Sequence, residues 1–365
     1  MKTLDRYILG KLLITFVFCM LLFTAIAVAI DTSEKADDFA KLPQTAFQIF
    51  TDYYFGFIPF IWSLLYPLFV FIAVIFFTSK MALRSEIIAI LASGTTYWRF
   101  LRPYIVGGII LALVLMYGKS FVIPKAITIY NDFKKTYLDK DDPFKNRQEG
   151  TCWNCFYRRV SSDTYISVKE YNPETQTSGV FSLEKIKNNK VIFNLRAKSI
   201  TWDTAAKGWK AQSVVERQVD SLGERVTLVA DRILKLNITP DEMANSEYLK
   251  DQLSTPALIK LINKEEKRGT EGLNSLKVEL HKRFSAPFTV LLLTFIGAVI
   301  ASRKTRGGSG LHLAVGIIIA AVFIIADQFS TVFSVKGNFP PVLAAWIPNM
   351  FFSIVAIYLY RKTPK

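Results

Sequence analysis

The stretch RSEIIAILASGTTYWRF, Arg84 to Phe100, lies between two long apolar blocks and reads like part of a soluble protein. Ile87, Ile88, Leu91 and Ala92 fall on one side of a short helix that carries one acid, Glu86. Ser93-Gly94 is a helix stop signal. A segment of this kind marks where the chain leaves one membrane span and enters the next.

Working outward, the block before it runs from about Phe55 to Thr78 and the block after it from about Pro103 to Ile123. Each can cross a hydrocarbon core of roughly 30 Å, which takes about 20 helical residues. A block from about Ile8 to Ile30 precedes them, and Phe284 to Ala301, Leu311 to Val335 and Val342 to Tyr360 close the chain. The first block is too long for a cleaved leader, and no small-residue cleavage site follows it before Asp31. The chain has 365 residues, 51% hydrophobic and 14% aromatic, and is expected to be an integral membrane protein with three spans on either side of a polar region.

Lys and Arg in short loops set the orientation. One set of loops holds Lys2, Arg6 and Lys11, then Lys80, Arg84, Arg99 and Arg102, then Arg303, Lys304 and Arg306, then Arg361, Lys362 and Lys365, against Asp5 and Glu86 alone. The loop after the first span instead carries Asp31, Glu34, Asp37 and Asp38 against Lys35 and Lys41. Both termini and the Arg84–Phe100 stretch are therefore expected in the cytoplasm, with the region from about Pro124 to Lys277 outside. Because three spans is an odd number, the second half enters the membrane with the opposite orientation. The same distribution accounts for the net charge of +15 without a nucleic-acid partner, since the bases form no stripe on a soluble face.

From about Thr151 to Ile238 the pattern changes to short runs of period two, including TYISVKEYN, GVFSLEKI and RVTLVADRILKLNI. Turn signals separate the runs, among them Asn172-Pro173, Asn188-Asn189 and Lys207-Gly208. These predict antiparallel strands with one face buried, in a sandwich or jellyroll. No catalytic constellation accompanies them. The two histidines, His281 and His312, sit at membrane edges, which removes histidine-based catalysis and argues against a zinc site. Cys152-Trp-Asn-Cys155 has three readings: a thioredoxin-like redox pair, a local disulfide in an oxidising compartment, or two unpaired thiols. Cys19, in the first span, reads as packing. Helices are predicted to start at Thr239-Pro240, at Thr255-Pro256, the latter ending near Arg268-Gly269, and near Asn274.

Inside the apolar blocks, Asp327 is a functional candidate by default, or else a carboxylate in a wet cavity or paired with a base. Lys119 either snorkels to the interface or turns inward toward an anionic group. Pro59, Pro67, Pro103, Pro287 and Pro348 lie in or at the ends of spans. Arg303 to Gly310 contains Gly-Gly-Ser-Gly but lacks the order of a phosphate loop, which occurs nowhere in the chain. No cofactor is expected on this chain, and a pump built on it must take energy from a partner or an ion gradient. The Arg84–Phe100 helix then either lies on lipid or docks in a groove on a soluble ATPase.

Beside this reading, the chain resembles the LptF/LptG (YjgP/YjgQ) permeases. The resemblance rests on Leu4-Asp5-Arg6-Tyr7-Ile8, Arg84-Ser85-Glu86-Ile87-Ile88 with Ala92-Ser93-Gly94, and Glu279-Leu280-His281-Lys282-Arg283 with Pro287. Arg306-Gly307-Gly308, Asp327-Gln328, Pro340-Pro341, Pro348 and the outer β-region add to it. The Asp-Gln and Pro-Pro pairs lean toward the LptG side. The resemblance implies a six-helix membrane bundle with an inserted periplasmic jellyroll, in a subunit of the ABC transporter that extracts lipopolysaccharide from the bacterial inner membrane. It implies a second permease, an LptB-type ATPase dimer holding ATP and Mg, and periplasmic bridge proteins of the LptC and LptA types. By that likeness 84–94 is the coupling helix, with Arg84, Glu86, Ile87, Ile88, Leu91 and Gly94 as its contacts.

The expected division is 1–123 for three spans, 124–277 for the periplasmic domain with its helical linker, and 278–365 for three more spans. One departure concerns the outer end of the first span. The family often places bases there; here Ala29-Ile30-Asp31 leads into acids, and Lys35 and Lys41 are the nearest bases. Lys35, Lys41, Lys119 and Asp327 are the candidate substrate contacts. Two rival readings stay open: a secondary transporter using Asp327 as a proton site, and a scaffold that anchors a β-domain without transporting.

Overall fold

An apolar run with no water to bond must satisfy its backbone internally, and the first block does so as one helix, Thr3–Glu34. Its threonines turn back on the same helix: Thr15 Oγ1 donates to the Lys11 carbonyl at 2.8 Å and Thr24 Oγ1 to the Met20 carbonyl at 2.6 Å. The computed structural model describes residues 3–138, 156–172, 175–188, 190–220, 223–236, 238–240, 249–270, 272–303 and 308–363. Among the described residues, six helices are long and apolar enough to cross a membrane: Thr3–Glu34, Ala46–Leu83, Tyr97–Leu138, Asn274–Ala301, Gly310–Gly337 and Pro341–Arg361. They are the first to sixth spans below.

Several helices outrun their apolar blocks because polar caps extend them. The second starts at a reciprocal capping box, with Thr45 accepting from the Gln48 N–H and the Gln48 side chain accepting from the Thr45 N–H. The third is not uniform. Its backbone widens by one residue per turn at Gly118–Val122, just ahead of Pro124, which has no N–H to bond back to that turn. Lys119 sits in this widened turn.

The chain divides into two compact units: Met1–Leu138 with Lys250–Ile259 and Asn274–Lys365, and Asp139–Leu249 with Lys260–Leu273. In the first unit, Ile8, Leu12, Phe69, Val74, Phe100, Tyr104, Val290 and Ala298 form one core that joins the first four spans. Phe71, Ile75, Leu293, Ile296, Phe323 and Phe352 form a second that joins the last three to the second span. Close helix approach needs missing side chains. A Cβ on Gly56 would stand 2.6 Å from the Ala126 carbonyl oxygen, so the second span touches the backbone of the third-span extension there. Several buried polar groups pair across helices, as in Thr78 with Tyr104 at 3.0 Å and Thr289 with Asn349 at 2.9 Å.

The second unit holds strands β1 Phe156–Arg159, β2 Thr164–Asn172, β3 Thr177–Lys187, β4 Lys190–Asp203, β5 Gly208–Asp220 and β6 Gly223–Leu234. They form one antiparallel sheet in the order β1-β2-β3-β4-β5-β6. Period-two residues meet across it: Val168 faces Phe181, Phe181 faces Ala197, and Ala197 faces Val214, all buried. Asn188 and Lys207 take positive φ values of 50° and 45° where the chain reverses. Buried Trp209 donates its indole N–H to the Ile238 carbonyl at 3.0 Å. Glu265, 1% exposed, is held by Arg268 at 2.8 Å and Arg158 at 3.1 Å. Cys152 and Cys155 lie outside the described residues, as does most of the segment after Thr239-Pro240.

Candidate functional site

Two sites in the membrane unit carry the candidate residues. The first lies at the end of the bundle where the first span begins. There Arg99 Nη2 meets the buried Asp5 carboxylate at 2.8 Å, Tyr97 Oη meets Ser302 Oγ at 2.9 Å, and Arg303 donates to Thr363 at 3.0 Å. These contacts gather the start of the first and third spans with the ends of the fourth and sixth. The basic residues that set the expected orientation therefore converge at this end.

Between the second and third spans stands the seven-residue helix Glu86–Ala92. Ser85 enters it at a left-handed φ of 59°, and Gly94 leaves it at 85°. Its inward stripe is Ile87, Ile90 and Leu91; Ile87 is buried and belongs to the same core as Ile8, Leu12, Tyr97 and Phe100. The sequence placed Ile88 and Ala92 on that stripe. They face outward instead, Ile88 at 52% exposure, because a helix of two turns buries only positions three and four apart. Exposed Leu83 and Trp98 flank it. Arg84 reaches Glu86 across 3.9 Å, and the Tyr7 hydroxyl donates to Glu86 Oε2 at 3.2 Å. The result is an apolar, one-acid surface at the basic end of the bundle.

The second site lies at the opposite end. A cavity of about 500 Å³ opens between the second, third, fourth and fifth spans. Its walls are apolar, with Phe60, Leu64, Leu68, Leu293 and Phe323. Pro67 also lines it and removes the N–H that the Ser63 carbonyl would otherwise take. Charge gathers on one side, from Lys119, Asp251, Glu279, Lys282, Arg283 and Asp327.

Most of that charge is matched internally. Lys282 donates to Asp327 Oδ2 at 2.6 Å. Arg283 meets Glu279 at 3.1 Å, the Leu253 carbonyl at 2.8 Å, the Lys250 carbonyl at 2.9 Å and Thr255 Oγ1 at 3.2 Å. Burial, then the Glu279 charge, pushes the Asp251 carboxyl up to about 6. Lys119 makes no hydrogen bond and no ion pair among the described residues. Its ammonium lies beside an apolar wall, with the Glu279 and Asp327 carboxylates acting on it from a distance.

Of the four candidate substrate contacts, the structure brings Lys119 and Asp327 into this one cavity. Lys35 is engaged elsewhere: its ammonium pairs with Asp31 and Tyr53 and lies 4.9 Å from the Tyr53 ring centre. Lys41 is exposed. Sequence reading by itself gave no site role to Asp251, Glu279, Lys282 or Arg283. The signal was present for three of them, as the acid Glu279 and the bases Lys282 and Arg283 just ahead of the fourth apolar block, while Asp251 lies well upstream. Among the described residues no group of three His, Cys, Asp or Glu could hold a metal ion.

Comparisons with known proteins agree over nearly the whole chain. The family profile described as "Lipopolysaccharide export system permease LptF/LptG" matches residues 6–362. The lipopolysaccharide export system permease protein LptG of Escherichia coli strain K12 is 20% identical over 365 residues, with 98% of each chain covered. The protein of that name from Escherichia coli O6:H1 matches to the same extent.

Proposed function

We propose a function from one premise: the chain belongs to the lipopolysaccharide export system permease LptF/LptG family. It is a multi-pass protein of the inner membrane. On our reading it extracts lipopolysaccharide from that membrane and passes it through the β-unit toward the outer membrane. It works beside a second permease of the family and is driven by an LptB-type ATPase dimer, which holds the ATP and Mg. Bridge proteins of the LptC and LptA types receive the lipid. Both termini are cytoplasmic and the β-unit is periplasmic, following the excess of Lys and Arg at one end of the bundle.

The observation that carries this reading is the outward face of Glu86–Ala92. Ile88 is exposed at the charged end of the bundle. A groove on the ATPase would cover Ile88 and Ala92, and a base on the groove's rim would meet Glu86. Nucleotide-driven closure of the ATPase then moves the helix and the spans attached to it. At the other end, acyl chains lie against Phe60, Leu64 and Phe323 at about 0.8 kcal/mol for each buried methylene. Lys119 meets a lipid phosphate there.

Affinity purification of Glu86→Arg and Ile88→Asp variants tests the docking step. Both are expected to lose the ATPase while keeping the second permease and a monodisperse profile. Full recovery of the ATPase with either variant would overturn it. The ion-coupled alternative makes a different demand: transport from this chain alone, stopped by collapse of the proton gradient and indifferent to ATP.

A further inference from the structure

Glu86 is not oriented by its own helix. Ser85 makes no side-chain cap, and Arg84, 62% exposed, stands 3.9 Å away. The nearest group holding the carboxylate is the Tyr7 hydroxyl at 3.2 Å, which comes from the first turns of the first span, 79 residues earlier. Two further features relate the same region to the first span. Ile87, beside Glu86, lies in the same buried core as Ile8 and Leu12, and Asp5 pairs with Arg99 just past the short helix. The segment between the second and third spans is thus tied to the first span by a phenol and an ion pair beside a shared apolar core.

We propose that Tyr7 is a positioning residue for the docking surface. Its hydroxyl fixes Oε2 of Glu86, while Oε1, 3.9 Å from the exposed Arg84 guanidinium, is the oxygen that a cation on the ATPase would meet. The proposal rests on the docking reading above and adds that the first span shares in the surface the ATPase meets. Tyr7→Phe keeps the ring and removes the hydrogen bond, so it separates orientation from packing.

The test is a double-mutant cycle on the purified permease pair, titrated with the purified LptB-type ATPase: wild type, Tyr7→Phe, Glu86→Gln, and both together. Glu86→Gln is expected to weaken binding about tenfold, and Tyr7→Phe about three- to tenfold, the scale of one ordinary intramolecular hydrogen bond. In the Glu86→Gln background, Tyr7→Phe is expected to cost nothing further. A merely structural role for Tyr7 would lower binding equally in both backgrounds. That additive result, or wild-type affinity in the single Tyr7→Phe variant, would overturn the proposal while leaving the docking reading intact. Wild-type affinity in Glu86→Gln would overturn both.

Discussion

Lys282 and Asp327 stand 2.6 Å apart on neighbouring helices, and they are the ion pair that joins the fourth and fifth spans at the cavity. Their side chains are 19% and 28% exposed, so the pair is only partly desolvated. Removing one partner leaves a charge facing an apolar wall. Asp327→Asn is expected to lower unfolding stability by about 1–3 kcal/mol, less than for a fully buried pair. Replacing both, as Lys282→Met with Asp327→Leu, should recover most of that loss. Thermal unfolding of the four proteins in one detergent checks it, and strictly additive losses would mean that the two charges do not support each other.

A second carboxyl on the cavity wall gives the protein a pH dependence with a definite sign. Asp251 rises from 3.8 to about 6 in the folded chain, first because it is buried and then because Glu279 is near. A carboxyl raised by folding stabilises the fold while it is protonated. That contribution is fully present below about pH 4 and is lost as pH rises through 6. Asp251→Asn stays neutral throughout. Its melting temperature relative to wild type is therefore expected to climb between pH 4 and pH 7 and then level off. A constant difference across that range would show that Asp251 titrates as an ordinary exposed carboxyl.

Gly56 makes a steric prediction. A methyl group there would meet the Ala126 carbonyl oxygen at 2.6 Å and the Tyr130 nitrogen at 2.7 Å, both main-chain atoms that no rotamer change can move. Gly56→Ala should push the second span off the third-span extension and destabilise the unit by about 1–3 kcal/mol. Gly10 has nothing within 4 Å of such a methyl group, so Gly10→Ala serves as the control and should not destabilise. Equal melting temperatures for the two variants would contradict the close approach.

The spans were legible because the bilayer imposes a length and a polarity that composition alone reveals. Ser93-Gly94 and Gly269 marked helix ends that the structure places nearby, with left-handed φ values of 85° at Gly94 and 71° at Gly269. Period-two runs located the strands. Their order was not legible, since spacing says nothing about which strands pair. The orientation of Glu86–Ala92 was misjudged at Ile88 because every outward position of that helix is also apolar, so periodicity had no polar face to read. The cavity was half legible. Lys119 and Asp327 stood out as charges inside apolar blocks, whereas Lys282 lay among other charges at the edge of a block. Its pairing with Asp327 depends on the packing of two helices 45 residues apart in sequence.

Lys119 is the cation on the cavity wall that makes no hydrogen bond or ion pair among the described residues, although the Glu279 and Asp327 carboxylates act on it from a distance. Lys282 and Arg283 are matched at short range by Asp327 and Glu279, whereas Lys119 has no short-range ion pair among the described residues. An ammonium kept unpaired beside Phe60 and Leu64 costs stability, which an anionic headgroup would repay. Lys119→Gln is therefore expected to leave the melting temperature unchanged or raise it. The same change should weaken lipopolysaccharide capture by photocrosslinkers placed at Phe60 or Ile324 about tenfold, the scale of one charge-assisted hydrogen bond. Lys119→Arg keeps the charge and should restore most of the capture. If Lys119→Gln lowered stability and capture together while Lys119→Arg restored neither, the ammonium would be a structural element of the widened turn.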